Sequence, residues 1–326
     1  MVVKDFMNKD KPQTVPIVLK KFAQLLGTEV KNWRLDIPEK FGCGYCTGFV
    51  FNEHIRILIF NYELKENLTI ENPDIDLNTK TILFKFQNIF PVSETLLAGK
   101  QSKATPSVLI ATRSLNTDVV IPIHTNTATI NIEVDANYLN ELFDLSEKSP
   151  VLQSLLQNTQ PLLFEQMIYP SLQKIIDEIA FEPVKNIFKP FLLRVKAEEL
   201  VCKLLIELEK RDEKHLYALN NQDIQTIYKV RENMIEHLET PPVILELAIG
   251  ANMSPTKLKR LFKQIFGNSI FSYFQEFRMK EAARLLKEKK LSVSDVGYKL
   301  GFTNLSHFSR VFADHTGMKP KQFSRS

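Results

Sequence analysis

Two short stretches near the C-terminal end carry side chains that could bind nucleic acid. Arginine can bond a guanine through two hydrogen bonds, serine and threonine can bond either member of a base pair, and apolar atoms can touch the thymine methyl group. Lysine can contact phosphates. At helical spacing, the outward residues are Thr256, Lys257, Lys259, Arg260, Lys263 and Gln264 in the first stretch, and Leu305, Ser306, Ser309 and Arg310 in the second. A merely solvated helix face has a similar composition, so the surrounding elements must decide between the two interpretations.

Both stretches belong to a weak internal repeat. LKRLFKQIFG (258–267) matches FSRVFADHTG (308–317) at an offset of 50 residues, whereas 244–248 matches 293–297 at an offset of 49. The difference of one residue falls between the two helices of each repeat, so a turn lengthens while both helices survive. The pattern predicts two helix-turn-helix motifs, in which the second helix of each can enter the major groove of DNA.

Start and stop signals bracket these helices. Expected N-terminal caps are Asp223, Ser254, Ser292 and Asn304, and expected C-terminal caps are Gly267 and Gly317. Pro255 follows Ser254 at a first helical position, and Asp295 can complete a capping box with Ser292. The apolar stripes expected to be buried are Leu258, Leu261, Phe262 and Ile265 in the first motif, and Phe308, Val311 and Phe312 in the second.

A longer helix over residues 269–289 is predicted between the two motifs. At 1.5 Å per residue it would span about 30 Å, which is close to the roughly 34 Å of one DNA turn. Such a helix could hold two recognition helices in successive major grooves on one face of the DNA.

Residues 223–326 resemble the DNA-binding domain of the AraC/XylS family of bacterial transcription regulators. The matching segments are ELAIGANMSPTKLKRLFKQIFGNSIFSYFQEFRMKEAARLL, which includes an R-x-x-x-A-x-x-L-L pattern from Arg278 to Leu286, and VSDVGYKLGFTNLSHFSRVFADHTGMKP. The resemblance implies DNA contacts at Thr256, Lys259, Arg260, Leu305, Ser306, Ser309 and Arg310. This sequence departs from the family pattern at Gly297, where alanine is usual, and at Leu305, which is unusually apolar for a base reader.

The N-terminal body, residues 1–215, changes from strand-like to helix-like patterns. β-Branched and aromatic runs over about 41–134 predict several short strands of a barrel or sandwich. Amphipathic segments follow over about 137–213, and residues 216–222 form a candidate linker. The family resemblance implies a small, cupin-like β-barrel with helices, used for effector binding and dimerisation. The expected fold class is therefore α+β, followed by an all-α DNA-binding domain over 223–326.

A looser similarity concerns the effector. The segments FGCGYCTGFVFNEHIRILIFNYEL and FLLRVKAEELVCKLLIEL look like those of regulators that sense iron-bound siderophores. This similarity implies a siderophore-like compound as the effector, and the residues themselves leave its identity open.

Charge is distributed unevenly along the chain. Residues 223–326 hold 17 Lys/Arg against 10 Asp/Glu, a net charge of +7, whereas the rest holds 25 against 28, a net charge of −3. A basic C-terminal third suggests an anionic polymer as partner. Apolar runs fall far short of the roughly 20 residues of a membrane span, and the first residues lack the apolar core of a signal peptide. We therefore expect a cytoplasmic protein without a membrane partner.

Cysteines and aromatic residues of the N-terminal body raise competing interpretations. Cys43 and Cys46 form a C-x-x-C pair, which occurs in redox and zinc sites. A zinc site would need two more ligands, and no second C-x-x-C or H-x-x-x-H motif is present. We therefore expect structural cysteines, with Cys202 in a helix core. The aromatic residues that could line a ligand mouth, but that fit simple packing better, are Trp33, Phe41 and Tyr45.

The sequence thus predicts a DNA-binding transcription regulator, expected to be an activator, rather than an enzyme. No catalytic residue, metal or cofactor is expected. The expected partners are promoter or operator DNA, a small-molecule effector, RNA polymerase and a second copy of the chain. One alternative is a DNA-binding module fused to a cysteine-dependent repair or redox enzyme domain. Another is constitutive DNA binding with a purely structural N-terminal domain.

Overall fold

The computed structural model describes residues 15–66, 68–71, 80–90, 105–112, 120–123, 126–143 and 149–325. The chain divides into two compact units, Met1–Ala218 and Leu219–Ser326, called the N-terminal and C-terminal units below. Within the region predicted to form strands, residues 72–79, 91–104 and 113–119 lie outside the described residues. Across the described ranges, no helix is long and apolar enough to span a bilayer.

The N-terminal unit combines strands and helices, which confirms the predicted α+β class. Its strands are β1 (Arg34–Asp36), β2 (Gly42–Val50), β3 (Ile55–Leu64), β4 (Leu68–Glu71), β5 (Thr81–Gln87), β6 (Ser107–Thr112), β7 (Val120–Ile123), β8 (Asn126–Asp135) and β9 (Leu163–Met167). Its helices are α1 (Ile17–Leu25), α2 (Ala136–Leu142), α3 (Pro150–Gln157), α4 (Pro170–Phe181) and α5 (Lys189–Glu209).

Seven of these strands form one antiparallel sheet in the order β1-β2-β3-β8-β5-β6-β9, and β4 pairs with β7 in a separate ribbon. Side chains alternate between the two faces of each strand. Phe84 of β5 and Ile132 of β8 therefore share one face, where they join a core with Leu155, Ile175 and Leu204 from α3, α4 and α5. Helices α3, α4 and α5 are thus packed on one face of the sheet.

The small, cupin-like β-barrel implied by the resemblance is not closed in the described strands. The sheet begins at β1 and ends at β9, and these two strands are not paired with each other. Helices α3 to α5 bury an apolar face of the open sheet, so that burial does not depend on closure. The predicted strand range, 41–134, was also too narrow. β1 and β9 lie outside it, and β9 is held in the sheet by β6, which lies far from it in the sequence.

The C-terminal unit is all-α, as predicted. Its helices are α6 (Asn221–Glu236), α7 (Ile244–Gly250), α8 (Pro255–Phe266), α9 (Ile270–Lys287), α10 (Val293–Lys299), α11 (Leu305–Thr316) and α12 (Pro320–Phe323). Helix α6 begins inside the candidate linker 216–222 and its N-cap is Asn220, so the expected cap Asp223 was wrong. Asp223 instead donates its N–H to Asn220 Oδ1 at 2.7 Å, because a cap residue bonds the amide three residues on.

Helix α9 joins two separate aromatic cores. Near its N-terminal end, the ring of Tyr273 lies 5.4 Å from that of Phe262 of α8. Towards its C-terminal end, Ala282 and Leu286 pack in a second cluster with Phe308 and Phe312 of α11. Its residues, Ile270–Lys287, extend about 27 Å at 1.5 Å per residue. Burial at both ends makes α9 a stiff spacer between α8 and α11.

Candidate nucleic-acid interface

The first helix-turn-helix motif consists of α7 and α8, joined by residues 251–254. Ser254 caps α8 by accepting the N–H of Lys257 at 3.2 Å, and Pro255 occupies the first helical turn. Gly267 ends the helix in the left-handed conformation with φ 74°. The predicted start and stop signals of α8 are confirmed.

The second motif consists of α10 and α11, joined by residues 300–304, which is one residue more than in the first motif. The capping box of Ser292 and Asp295 is present, and Asn304 accepts the N–H of His307 at 3.0 Å. Gly301 has φ 76°, and a β carbon at this position would overlap the carbonyl oxygen of Glu239. Only glycine therefore fits at this point of the turn.

The outward face of α8 is polar and basic. Its apolar stripe is buried, with Leu258, Phe262 and Ile265 inaccessible to solvent. The exposed or partly exposed residues on the other side are Thr256, Lys259, Arg260 and Lys263, which follow the spacing i, i+3, i+4 and i+7 of one helix face. The structure thus places four of the sequence-predicted site residues on one stripe.

Two other predicted outward residues of α8 are held within the C-terminal unit. Lys257 Nζ lies 2.8 Å from Asp223 Oδ1 of α6, so its charge is partly neutralised by that carboxylate. Gln264 is only 2% exposed, and its expected outward position was wrong. It lies at the edge of the apolar stripe, where burial depends on the helices that pack around α8.

The outward face of α11 carries less charge than that of α8. Ser306 and Arg310 are exposed, whereas Leu305 and Ser309 are half-buried. The exposed His307 was missed among the outward residues, although the repeat offset of 50 aligns it with Lys257. Its ring centroid lies 5.8 Å from that of Phe302, so aromatic packing partly orients it.

Arg278 attaches α9 to the turn of the second motif. Its Nε donates to the carbonyl oxygen of Leu300 at 3.1 Å, its Nη2 donates to the same oxygen, and its Nη1 donates to Gln275 Oε1 at 3.1 Å. The guanidinium also lies 3.9 Å from the centroid of the Phe302 ring. Leu300 is the C-cap of α10, and Phe302 lies in the turn before α11. This buried arginine therefore helps fix the orientation of α11 relative to α9.

These geometries combine into two polar helix faces that are held by one connecting helix. A family model for a helix-turn-helix domain matches residues 247–326, a range that contains both faces. Over 108 residues, the chain is 32% identical to the transcriptional regulator GbdR of Pseudomonas aeruginosa. Over 80 residues, it is 37% identical to the arabinose operon regulatory protein of Escherichia coli. The C-terminal unit contains an AraC-type helix-turn-helix domain.

The AraC-type domain is the part of the chain that these comparisons cover. The match to GbdR includes 33% of this chain and 29% of that protein, and the match to the arabinose operon regulatory protein includes 24% and 27%. The chain therefore spans less than a third of the length of these relatives. A solved transcriptional regulator from Chromobacterium violaceum, described as AraC-type, is 26% identical over 32% of this chain and 95% of its own, with a TM-score of 0.30.

Outside the AraC-type domain, the cysteine pair does not have the geometry of a redox or zinc site. Cys43 is exposed and Cys46 is buried, because residues at odd separation on strand β2 point to opposite faces of the sheet. Burial raises the pKa of the Cys46 thiol, which keeps it protonated. In the described ranges, no group of three His, Cys, Asp or Glu residues could hold a metal ion.

The predictions for Cys202 and for the aromatic residues Trp33 and Tyr45 have different outcomes. The predicted core position of Cys202 is wrong, because this thiol lies on the exposed side of α5. Trp33 packs against Phe49 with a centroid distance of 5.5 Å, and the guanidinium of Arg34 lies 3.8 Å from the Tyr45 ring centroid. These contacts favour packing over a ligand mouth for both aromatic residues.

Proposed function

We propose that the protein is a sequence-specific, DNA-binding transcription regulator. The observation that supports this function is the pair of helices α8 and α11, each with an N-terminal cap, a buried apolar stripe and a polar outward face. In a helix-turn-helix motif, such a helix enters the major groove with its first turns against the base edges. The relatives matched over this region are named as transcriptional or operon regulators.

Helix α8 is the main reader in this proposal. Thr256 and Arg260 lie in its first turns and can bond base edges, with the arginine suited to guanine. Lys259 and Lys263 flank them and are suited to phosphates. Lys257 is a weaker candidate for a phosphate contact than Lys259, because it already pairs with Asp223.

Helix α11 contributes a second, less charged contact. Ser306, Ser309 and Arg310 supply hydrogen-bonding groups, and Leu305 supplies apolar atoms that can meet a thymine methyl group. With Arg310 as the only cation among its four proposed contacts, α11 would discriminate less between sequences than α8. The stiff helix α9 would hold the two readers about one DNA turn apart.

The N-terminal unit is proposed to bind a small-molecule effector, with a siderophore-like compound as one candidate. In this proposal the protein is cytoplasmic. Effector binding would change its affinity for the operator and its activation of RNA polymerase. Support comes from the sheet, because residues on the face opposite the helices, such as Leu58 and Thr129, are also buried. A partly buried sheet face of mixed polarity is suited to a small ligand.

A homodimer is also proposed, through the exposed side of α5. Phe191, Val195 and Ile206 are 69%, 43% and 53% exposed, and Cys202 is exposed between them. At 100° per residue these four residues lie within about 60° of one another around the helix. An apolar stripe of this kind is suited to pairing with the same stripe of a second copy.

Selection from a random DNA pool by the full-length protein tests the proposed function. We expect enrichment of two short motifs about 10 base pairs apart, because each recognition helix occupies one major groove. Binding to the enriched sequence should exceed binding to scrambled DNA at physiological salt. An unenriched pool, or equal affinity for both DNAs, would refute sequence-specific regulation.

A further inference from the structure

The sheet of the N-terminal unit has a second, partly buried face, opposite the one that packs on helices α3 to α5. Phe84 and Ile132 face the helices, so their neighbours Lys85 and Asn131 face the other way. Helix α1 covers the β2–β3 side of this second face, where its residue Phe22 packs with Cys46. Further along the face, Ser107 and Glu165 are only 2% and 4% exposed.

Lys85 and Asn131 are direct neighbours on this face. The register of β5 with β8 pairs the two residues, and paired residues carry side chains on the same face, with β carbons about 5 Å apart. The same row continues to Leu58 on β3 and to Leu109 on β6. A polar pair therefore lies between two leucines in the middle of the sheet.

Polar groups in the adjoining rows have partners. Gln87 Nε2 donates to Ser107 Oγ at 3.0 Å on one side of the pair. On the other side, Arg56 Nε donates to Glu133 Oε2 at 3.0 Å. The polar groups of Gln87 and of the 46% exposed Arg56 are therefore paired on either side of Lys85 and Asn131.

The central pair differs from its surroundings. The Oδ1 atom of Asn131 is buried without a hydrogen-bond partner. Among the hydrogen bonds and ion pairs of the described residues, none involves the Lys85 ammonium. The nearest carboxylate along its own row, that of Glu165, is two strands away, or about 10 Å. Burial lowers the pKa of Lys85.

Such an arrangement is unfavourable for folding alone. A buried polar group without a partner destabilises the folded chain, and an apolar residue at either position would avoid that cost. The buried Oδ1 atom of Asn131 beside the half-buried Lys85 ammonium is suited to a ligand that brings both the missing charge and the missing hydrogen-bond donor.

We propose that Lys85 and Asn131 bind the acidic end of a small organic acid. The Lys85 ammonium donates to the carboxylate, and Asn131 Oδ1 accepts from a hydroxyl or N–H group next to it. Leu58 and Leu109 contact the apolar part of the molecule. This inference rests on the proposed function, because the acid would be the effector, and it narrows the effector to an anion with an apolar body.

Binding of 2-hydroxybenzoate to the full-length protein, measured by calorimetry without DNA, tests this assignment. 2-Hydroxybenzamide, which has nearly the same shape but no charge, is the matched probe. We expect the acid to bind and the amide to bind about 10- to 100-fold more weakly, as a lost hydrogen bond to a charged group predicts. No binding of the acid, or equal binding of both probes, would overturn the proposal.

Lys85→Met is the informative variant and Lys80→Met the control, since Lys80 is exposed and immediately precedes the same strand. Lys85→Met should bind the acid about 10- to 100-fold more weakly, yet melt at a higher temperature than the wild type, because a half-buried charge without an ion-pair partner is removed. Lys80→Met should change neither value. Unchanged acid binding by Lys85→Met would overturn the proposal, as would a melting temperature below that of the wild type.

DNA binding by the same proteins distinguishes failure of the ligand assignment from failure of the proposed regulatory function. Without any acid, Lys85→Met should bind the selected operator as the wild type does. Sequence-specific DNA binding together with failure of the acid experiments would overturn the ligand assignment alone. Absence of specific DNA binding in every protein would instead refute the proposed function, whatever the acid does.

Discussion

Leu305 packs directly against Gly297 in the second helix-turn-helix motif. A β carbon added to Gly297 would lie 2.7 Å from Leu305 Cδ2 and 3.2 Å from Phe308 Cδ1. The contact joins the middle of α10 to the first residue of α11. The two residues that depart from the AraC-family pattern are therefore one feature, because the glycine leaves the space that the leucine side chain occupies.

This contact predicts a change of sign in a double-mutant cycle. With Leu305 present, Gly297→Ala forces a side chain to move, so we expect no gain in stability or a loss. In a Leu305→Ala background only the Phe308 ring, 3.2 Å from the new β carbon, must shift by a few tenths of an ångström, and helix propensity predicts a gain of up to about 1 kcal/mol. Native-state hydrogen exchange of α10 amides measures both values. Equal effects in the two backgrounds would show that the contact has no energetic role.

Arg278 is expected to stabilise the second motif far more than another arginine on the same helix. Burial lowers its pKa to about 10, which leaves the guanidinium charged at neutral pH. Arg278→Met leaves the Leu300 carbonyl without this donor and should cost about 1–3 kcal/mol. Arg284→Met removes only exposed ion pairs with Glu281 and Glu288, which predicts a loss below about 1 kcal/mol. Hydrogen exchange of the α11 amides measures both losses. An equal fall in protection in the two variants would contradict a special role for Arg278.

Lys259 and Lys257 should differ in their effect on the salt dependence of DNA binding. Lys259 is exposed on the outward stripe, whereas Lys257 pairs with Asp223 at 2.8 Å. We expect Lys259→Ala to reduce the slope of log affinity against log salt by about 1, and Lys257→Ala to reduce it by less. Fluorescence anisotropy over a series of KCl concentrations measures both slopes. A larger change for Lys257→Ala would reverse the assignment of phosphate contacts.

The exposed stripe of α5 predicts that Val195→Glu converts a dimer into a monomer. The new carboxylate would lie between Phe191 and Cys202, where pairing with a second copy would bury it without a partner. Ser171→Glu on α4, at an exposed position, adds the same charge elsewhere and should leave the dimer intact. Sedimentation velocity distinguishes the species. A monomeric wild-type protein, or a dimeric Val195→Glu variant, would contradict the proposed interface.

The C-terminal unit was largely predictable because its signals are local. Ser254 and Asn304 are caps within three residues of the amides they bond, and Gly267 and Gly317 end helices in the expected left-handed conformation. The apolar stripes of α8 and α11 follow from periodicity within a single helix. Such features depend only on residues that are close together in the sequence, so they can be predicted without knowing the tertiary structure.

Features that depend on distant residues were not predictable in the same way. Lys257 looks like an outward cation until α6 brings Asp223, 34 residues earlier, against it. Gln264 is polar in sequence, yet packing around α8 buries it. The open sheet and the pairing of Lys85 with Asn131 depend on strand register, which is set by tertiary contacts. The sequence therefore indicated the class of the N-terminal unit but not its candidate ligand groups.

Base preference measured with the wild type and Arg260→Ala tests the central claim most directly. Selection from a random DNA pool, followed by affinity measurements on single-base variants of the enriched site, gives the preference at each position. We expect Arg260→Ala to lose about 1–3 kcal/mol of discrimination at one base pair and to keep the preferences elsewhere. An equal loss of affinity for all sequences would contradict the assignment of α8 as a reader of DNA sequence.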